Sequence, residues 1–391
     1  MSDPRRAVVV GGGIAGTAAA LGLRKAGCEV SVFEAYPDGA EDIGAFLTLA
    51  SNGMRALAEL GAGDAVTAVG FPLTSLRVLD ARGAELAHAP LGEVTDPALR
   101  YRCLRRGELN AALRAEAVRR GIPLRHGARL VSLTDSPDGV TAGFADGTTA
   151  TGGVLIGADG LNSTVRRLIA PGTRPGHAGQ RVFYGYADSA PVTDGTGHIT
   201  MVRGSEAAFG FAVSPAGETY WFARVAGGPL TARELARSEP DLWRDRLVSL
   251  LSKDCTPAAG IVAASTSVMV TNATETPLGT PWHTGRTLLI GDAAHAASPA
   301  TGQGASMALE DAVILAKALR DSSGPRTAFA LYDSCRRPRV EHNIIVSGGI
   351  SRGTSIPGRP GAPVPSPRAE DDALHRQLAW DTDLAAAAGE D

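Results

Sequence analysis

Lysine is nearly missing from this chain. Of 391 residues it takes only positions 25, 253 and 317, and arginine supplies the other positive charges. Codon bias explains that skew as readily as phosphate binding does, so it carries no functional weight. Cysteine is also scarce: Cys28, Cys103, Cys255 and Cys335 are scattered, with no CxxC and no metal-ligand spacing. No metal site is expected, and a reduced, cytoplasmic protein is the natural expectation. Long apolar runs are absent. The N-terminal MSDPRRAVVVGGG is too short in its apolar part for a signal-peptide core or a membrane span. Neither sign of charge dominates: the net charge of −3 gives no field to draw nucleic acid or an anionic membrane. No internal repeat is evident.

Glycine is what the chain has in excess. Its 48 glycines are about 12% of the residues, against about 7% in average usage. Such an excess suggests tight turns where backbone approaches a ligand. The length allows two domains at roughly 100–200 residues each. Residues 7–10 (AVVV) read as a strand buried on both faces, Ile14–Ala26 as a helix ending at Gly27, and residues 28–34 as a second strand. Helical stretches are expected at Asn52–Leu60, in RRGELNAALRAEAVRR before Gly121, and around Ala232–Leu251. Residues 124–156 alternate strands with turns at Asp138-Gly139 and Asp146-Gly147. A strand over Thr287–Ile290 and a long helix from about Ala305 to Leu319 follow. Residues 348–368, rich in Gly, Pro and Ser, read as a linker or extended tail. Beyond them a short helix can dock Trp380 onto the body, with a frayed tail as the equal alternative.

Gly11-Gly12-Gly13-Ile14-Ala15-Gly16 satisfies G-x-G-x-x-G between the first strand and its helix. Gly11 permits the turn, Gly13 lets backbone reach a pyrophosphate, and Gly16 lets helix pack on strand. The helix start, from Ile14 and Ala15, offers unpaired N–H groups and a positive dipole end. Glu34, 18 residues past Gly16 at the end of the second strand, is placed to accept the ribose hydroxyls of an adenosine. Dinucleotide binding follows; FAD and NAD are not yet separated.

Two further segments separate them. VLIGADGLNSTVRR (154–167) and LLIGDAAHAASPATGQGASMALEDA (288–312) join the first motif in an order and spacing that resembles the class A flavoprotein monooxygenases, the para-hydroxybenzoate hydroxylase or aromatic hydroxylase type. The resemblance runs over about residues 7–345. It implies an α/β fold: a glutathione-reductase-type, FAD-binding Rossmann domain with an interleaved, mostly β-sheet substrate domain. The FAD domain is expected over 1–75, 98–174 and 283–346, the substrate domain over 76–97 and 175–282, and a linker and tail over 347–391. Residue by residue, it puts Asp159 and Gly160 near the FAD pyrophosphate, a motif also linked to the pyridine nucleotide. Arg106 falls at the diphosphate and ribose, and Gly291-Asp292 at the ribityl chain. Pro299 and Gly302-Gln303-Gly304 lie along the isoalloxazine, with Ala305 and Ser306 following. Ala45 and Phe46 occupy a stretch that passes the flavin, where Phe46 departs from a position that is often glycine.

Physics supports the placing of the glycine loop. Gly302-Gln303-Gly304 stands before an apolar-periodic helix, whose positive end would meet the negative charge of a reduced flavin, worth about 0.3–2 kcal/mol. Pro299, Gly302 and Gly304 are thus the expected flavin-ring environment, and no residue pattern singles out a substrate acid or base. His295 reads as a structural hydrogen-bonding residue. Glu310 and Asp311, inside the helix, are expected to make local polar contacts.

Of the chain's nine Phe, six Tyr and four Trp, eight fall within residues 183–222. Strand side chains alternate faces, so Phe209 and Phe211 share one, and Tyr220, Phe222 and Arg224 share one. With Tyr184 and Phe46 these are the candidate substrate contacts. The alternative is that the rings build only their own domain's core. Arg203 and Arg224 are candidates for an anionic substrate group.

The implied activity is monooxygenation, in secondary metabolism or aromatic catabolism. NADPH or NADH acts as a transient co-substrate, O2 yields a flavin C4a-hydroperoxide, and one oxygen enters an aromatic or polycyclic small molecule. A flavin oxidase or reductase on the same scaffold stays open, as does a non-catalytic nucleotide-binding regulatory protein. Halogenation is disfavoured, since no WxWxIP is present. No nucleic acid or membrane partner is expected, and the state is monomer or homodimer.

Overall fold

A computed structural model of the chain describes residues 6–37, 45–93, 95–188, 195–236, 240–354 and 367–388. Ala7 to Val10 bring only apolar side chains, so the strand Arg6–Val10 is buried at every position after its first. Parallel strands flank it, Glu29–Phe33 on one side and Val154–Gly157 on the other. The full six-stranded order is His283–Thr284, Thr287–Leu289, Val154–Gly157, Arg6–Val10, Glu29–Phe33, Leu124–Arg125. Only the first pair is antiparallel. A parallel sheet needs cover on both faces. The helix Ile14–Lys25 packs on it and on Gly304–Asp321, whose residues 306–318 are all buried. A three-stranded sheet, Leu130–Ser136 with Gly139–Phe144 and Thr149–Gly152, packs alongside.

The second large sheet has seven strands, in the order Ser267–Glu275, Gly176–Ala187, Thr219–Ala226, Ala207–Val213, His198–Arg203, Ser75–Asp80, Glu85–Pro90. All pairs are antiparallel except His198–Arg203 with Ser75–Asp80. One face carries Phe183, Phe209, Phe211 and Trp221 against the helices Pro240–Leu251 and Ala258–Ala263. The other carries Tyr184, Tyr186, Tyr220 and Phe222 towards Phe46 and Phe71. This is the expected α/β architecture, a parallel nucleotide-type sheet joined to a mostly antiparallel one.

The tail departs in part from its reading as a linker. The helix Pro325–Arg352 takes in residues 348–352, and Gly353 ends it with a left-handed φ of 65°. Residues 355–366 lie outside the described residues. Beyond them the helix Pro367–Leu378 docks rather than frays: Leu374, Leu378 and Leu384 enter the main core. Lys317, fully buried, donates from Nζ to the carbonyls of Gln377 at 2.6 Å and Ala379 at 2.5 Å, and to the Thr382 hydroxyl at 2.8 Å. The Trp380 ring lies under Lys25 at 4.2 Å and Arg320 at 5.1 Å. Two of the three lysines thus hold the C-terminus. Trp380→Ala is expected to lower stability by about 1–2 kcal/mol through lost cation–π contact and packing. A urea midpoint equal to that of the unaltered protein would contradict this docking.

No helix among the described residues is long and apolar enough to cross a membrane.

Candidate active site

The three glycine-bearing segments meet because their strands are neighbours. Gly11 follows Arg6–Val10, Ala158 follows Val154–Gly157, and Ile290 follows Thr287–Leu289. These are the carboxyl ends of three adjacent parallel strands, where open α/β sheets bind their ligands. Gly11 has a φ of 108°, and a Cβ there would stand 2.3 Å from the Ala158 carbonyl oxygen. A Cβ on Gly16 would stand 1.9 Å from the Gly11 carbonyl oxygen. Both positions therefore admit only glycine. A Cβ on Gly13 would meet no protein atom within 4 Å, so that glycine is not demanded by the fold itself. The Ile14–Lys25 helix has no side-chain cap, which leaves its first N–H groups to a ligand. Glu34 is buried and accepts from Gly12 N at 2.7 Å and Tyr36 N at 2.9 Å, which fixes its carboxylate beside the loop. Arg114, not singled out in the sequence, holds the loop from the other side by donating to the Gly12 carbonyl at 2.9 Å.

In the second segment Asp159 orders its own turn and helix. The Asp159 carboxylate accepts from Ser163 Oγ at 2.5 Å, Thr164 N at 2.6 Å and Val165 N at 3.1 Å. It caps the helix Thr164–Ile169 and thereby fixes the backbone at Gly160. Burial lifts its pKa, and the hydrogen bonds oppose that. From the same helix, buried Arg166 donates to the Ala293 carbonyl at 2.8 Å, to Asp292 O at 3.3 Å and to Leu161 O. It ties the second segment to the third.

In the third segment Gly291 sits against the first helix, where its Cβ would lie 2.8 Å from that of Ala15. Asp292 follows with an exposed carboxylate. Pro299 begins a 3-10 turn that Gly302 closes with a left-handed φ of 67°, and Pro299, Gly302 and Gly304 are all exposed. The Gly304–Asp321 helix, preceded by Gln303, again lacks a side-chain cap. Two uncapped helix starts therefore serve one sheet edge. Ala305 is half-buried. Ser306 corrects an expectation: it is fully buried and its Oγ accepts from Ala50 N at 3.1 Å, so it braces the chain after Phe46–Leu49 and is not a cofactor contact.

Behind this loop lies a buried charge cluster that the sequence only hinted at. Asp311 accepts from His295 Nε2 at 2.6 Å, Gly291 N at 2.9 Å and Arg336 Nε at 2.8 Å. Glu310 accepts from Arg336 Nη1 at 2.5 Å, from Arg339 Nε and Nη2 at 3.0 Å each and from Asn52 Nδ2 at 2.6 Å. Burial opposes ionisation of both carboxyls, but the facing cations prevail and hold both below the usual carboxylate range. His295 is thus engaged structurally, and Asp311 fixes the turn at Gly291. Two consecutive acids in an Ala/Leu/Val helix were the available signal. Their partner lies on the next helix and cannot be located from spacing.

The aromatic face is settled by register. Tyr184 pairs with Phe222 and Tyr186 with Tyr220, so all four point to one side. Phe46 is buried among them, with ring centroids 5.6 Å from Tyr220, 6.2 Å from Phe222, 6.4 Å from Tyr186 and 6.5 Å from Tyr184. Gly210 makes room for this set: a Cβ there would lie 2.5 Å from the Phe222 ring. Phe209 and Phe211 are a correction. They pair with Ala223 and Trp221, face the opposite side and are fully buried, with Phe209 stacked on Trp221 at 5.7 Å. They build the core behind the sheet and line no pocket. Arg105 lies over Tyr186 at 4.1 Å and pairs with Glu218 at 2.5 Å, while exposed Arg106 begins the next helix beside Ala45, whose carbonyl accepts its N–H at 3.3 Å. Arg224 shares the face of Phe222, two residues further along the strand.

A parallel sheet with two open helix starts at its edge, next to an aromatic sheet face, defines a flavoprotein of the aromatic-hydroxylase fold. Residues 5–345 match the family described as FAD binding domain, and the chain belongs to it. It is similar to the aurachin C monooxygenase/isomerase of Stigmatella aurantiaca, 32% identical over 88% of each chain. It is likewise 32% identical to the 3-amino-4-hydroxybenzoate 2-monooxygenase PtmB3 of Streptomyces platensis, over 86% of this chain and 85% of that one. Klebsiella pneumoniae HpxO, in a structure complexed with FAD and uric acid, superposes with a TM-score of 0.80 at 25% identity, covering 98% of this chain and 95% of its own. The protein is an FAD-dependent monooxygenase.

Proposed function

We propose that this protein hydroxylates an aromatic or polycyclic small molecule, with NADPH or NADH as the reductant and O2 as the oxygen source. The observation that carries the reading is the ring of Phe46, Tyr184, Tyr186, Tyr220 and Phe222 set beside an uncapped helix start at Gly304. PtmB3 is named a 3-amino-4-hydroxybenzoate 2-monooxygenase and HpxO is seen with uric acid, which supports a ring substrate here.

When bound, FAD would supply the redox chemistry between the nicotinamide and O2. The chain's own residues bind and orient. Gly11, Gly13 and Gly16 shape the loop for the pyrophosphate, with N–H donors from Ile14 and Ala15, and Gly160 backs them. Glu34 would take the adenosine ribose, Arg106 the diphosphate, and Asp292 the ribityl chain. Gln303 and Gly304, at an uncapped helix start, would offer N–H groups and a helix dipole to the negative charge of a reduced flavin. Phe46 and the tyrosines exclude water from the reacting atoms and give the substrate a flat apolar wall. We assign residues 1–75, 98–174 and 283–346 to the cofactor domain and 76–97 with 175–282 to the substrate domain.

The test is a panel of aromatic and polycyclic compounds added to the purified protein with NADPH or NADH. A substrate is expected to stimulate nicotinamide oxidation and to gain one oxygen in mass. Stimulation with dehydrogenated or reduced products instead would mark an oxidase or reductase.

A further inference from the structure

Among the described residues four arginines are buried, and three of them bond to protein acceptors, although Arg166 Nε is left without a partner. Arg336 meets Glu310 and Asp311, Arg166 meets the carbonyls of Leu161, Asp292 and Ala293, and Arg102 meets those of Thr67, Val69 and Gly70. Each uses at least two guanidinium nitrogens. Arg224 differs. It is 7% exposed, yet its Nε and Nη1 are sealed from solvent and bond nothing, and among the described residues no acid pairs with it. Guanidinium cannot shed its proton, so a buried one without an anion is a standing cost to the fold.

Its position suggests what offsets that cost. Arg224 lies opposite Val182 and Ala208 in the flanking strands, so it shares the sheet face of Phe222, Tyr184 and Met201. Tyr184 feels both Arg224 and Arg106, although burial dominates and pushes its phenol up to about 12. The corner of the aromatic site around Tyr184 is thus positively charged. At the other end of the same face, the corresponding cation, Arg105, already has Glu218.

We propose that Arg224 is the anion subsite of this active site, taking the carboxylate of a planar aromatic acid whose ring lies against Phe222 and Tyr184. The inference rests on the aromatic-hydroxylase reading and narrows it to an acidic substrate. A planar, two-oxygen anion suits the guanidinium fork, and an ester of the same ring does not.

The experiment titrates the FAD-loaded protein with 4-hydroxybenzoate, 3-hydroxy-2-naphthoate and their methyl esters, reading the flavin absorbance shift. At least one acid is expected to bind roughly 30-fold or more tighter than its ester, and Arg224→Met is expected to remove most of that preference. A second reading needs no ligand: with a buried uncompensated charge removed, FAD-loaded Arg224→Met should melt at or above the unaltered protein. Esters binding as well as acids, an acid preference that survives Arg224→Met, or a clear fall in its Tm would each overturn the proposal. So would a flavin reduced by NADPH or NADH but indifferent to every acid, a result that leaves the monooxygenase reading standing. Failure of that wider reading looks different: the protein takes up no flavin.

Discussion

Replacing Gly16 with alanine is expected to give a protein that purifies without colour and melts well below the parent, whereas Gly13→Ala loses flavin affinity alone. The two glycines are three residues apart but serve different ends. A methyl group at Gly16 would sit 1.9 Å from the Gly11 carbonyl oxygen and 3.2 Å from the Ala158 Cβ. No rotation relieves that clash, because both neighbours belong to strand ends fixed by the sheet. The helix Ile14–Lys25 must move off the strand, taking its N–H groups with it. Overpacking of this kind costs about 1–3 kcal/mol or more, and flavin retention should fall by at least about tenfold. At Gly13 a methyl group meets no protein atom, and its φ of −81° is open to any residue. The protein without flavin should therefore keep its stability, or gain about 0.4–1 kcal/mol from a stiffer unfolded chain. What the methyl group blocks is the approach of the cofactor. Flavin content and the melting temperature of the flavin-free protein, measured on both variants, separate the two effects. Equal behaviour of the pair would contradict the assignment.

Arg336→Met should be the most destabilising single change outside the glycine loops. The side chain is fully buried and holds Glu310 at 2.5 Å and Asp311 at 2.8 Å. Its loss leaves two buried carboxylates with Arg339 and Asn52 on Glu310, and His295 and the Gly291 N–H on Asp311, to answer them. Removing one partner of a buried pair costs about 3–5 kcal/mol. Arg339→Met, whose side chain is 32% exposed, should cost far less. Acid should expose the same cluster. Both carboxyls titrate below their ordinary values of 3.8 and 4.5, so their contribution is complete above about pH 5 and is lost as pH falls through the lowered folded values. Arg336→Met should therefore show a flatter acid limb in its stability profile. A profile parallel to that of the unaltered protein would count against the cluster's role.

The parts legible in the sequence were those with fixed spacing. A phosphate cradle requires strand, glycine turn and helix in immediate succession, so residues 7–34 announced themselves, and the segments at 154–167 and 288–312 followed in register. Faces were less legible. Phe209, Phe211, Tyr220 and Phe222 all read as strand aromatics, and local sequence gives the alternation without saying which side meets the cofactor. Only the pairing of Tyr184 with Phe222 and of Phe211 with Trp221 decides it. Long-range partners were illegible altogether. Arg336 reaches Asp311 from 25 residues away, and Lys317 reaches the tail carbonyls from about 60. Asp159 shows a further limit: its motif was visible, but that its oxygens were spent on Ser163, Thr164 and Val165 was not.

The most direct test of the central claim is the origin of the oxygen in the product. With an aromatic acid that stimulates NADPH or NADH oxidation, turnover under 18O2 in ordinary water should place one heavy oxygen on the ring. Product labelled from H2 18O instead, or all the dioxygen recovered as hydrogen peroxide with the ring unchanged, would contradict it.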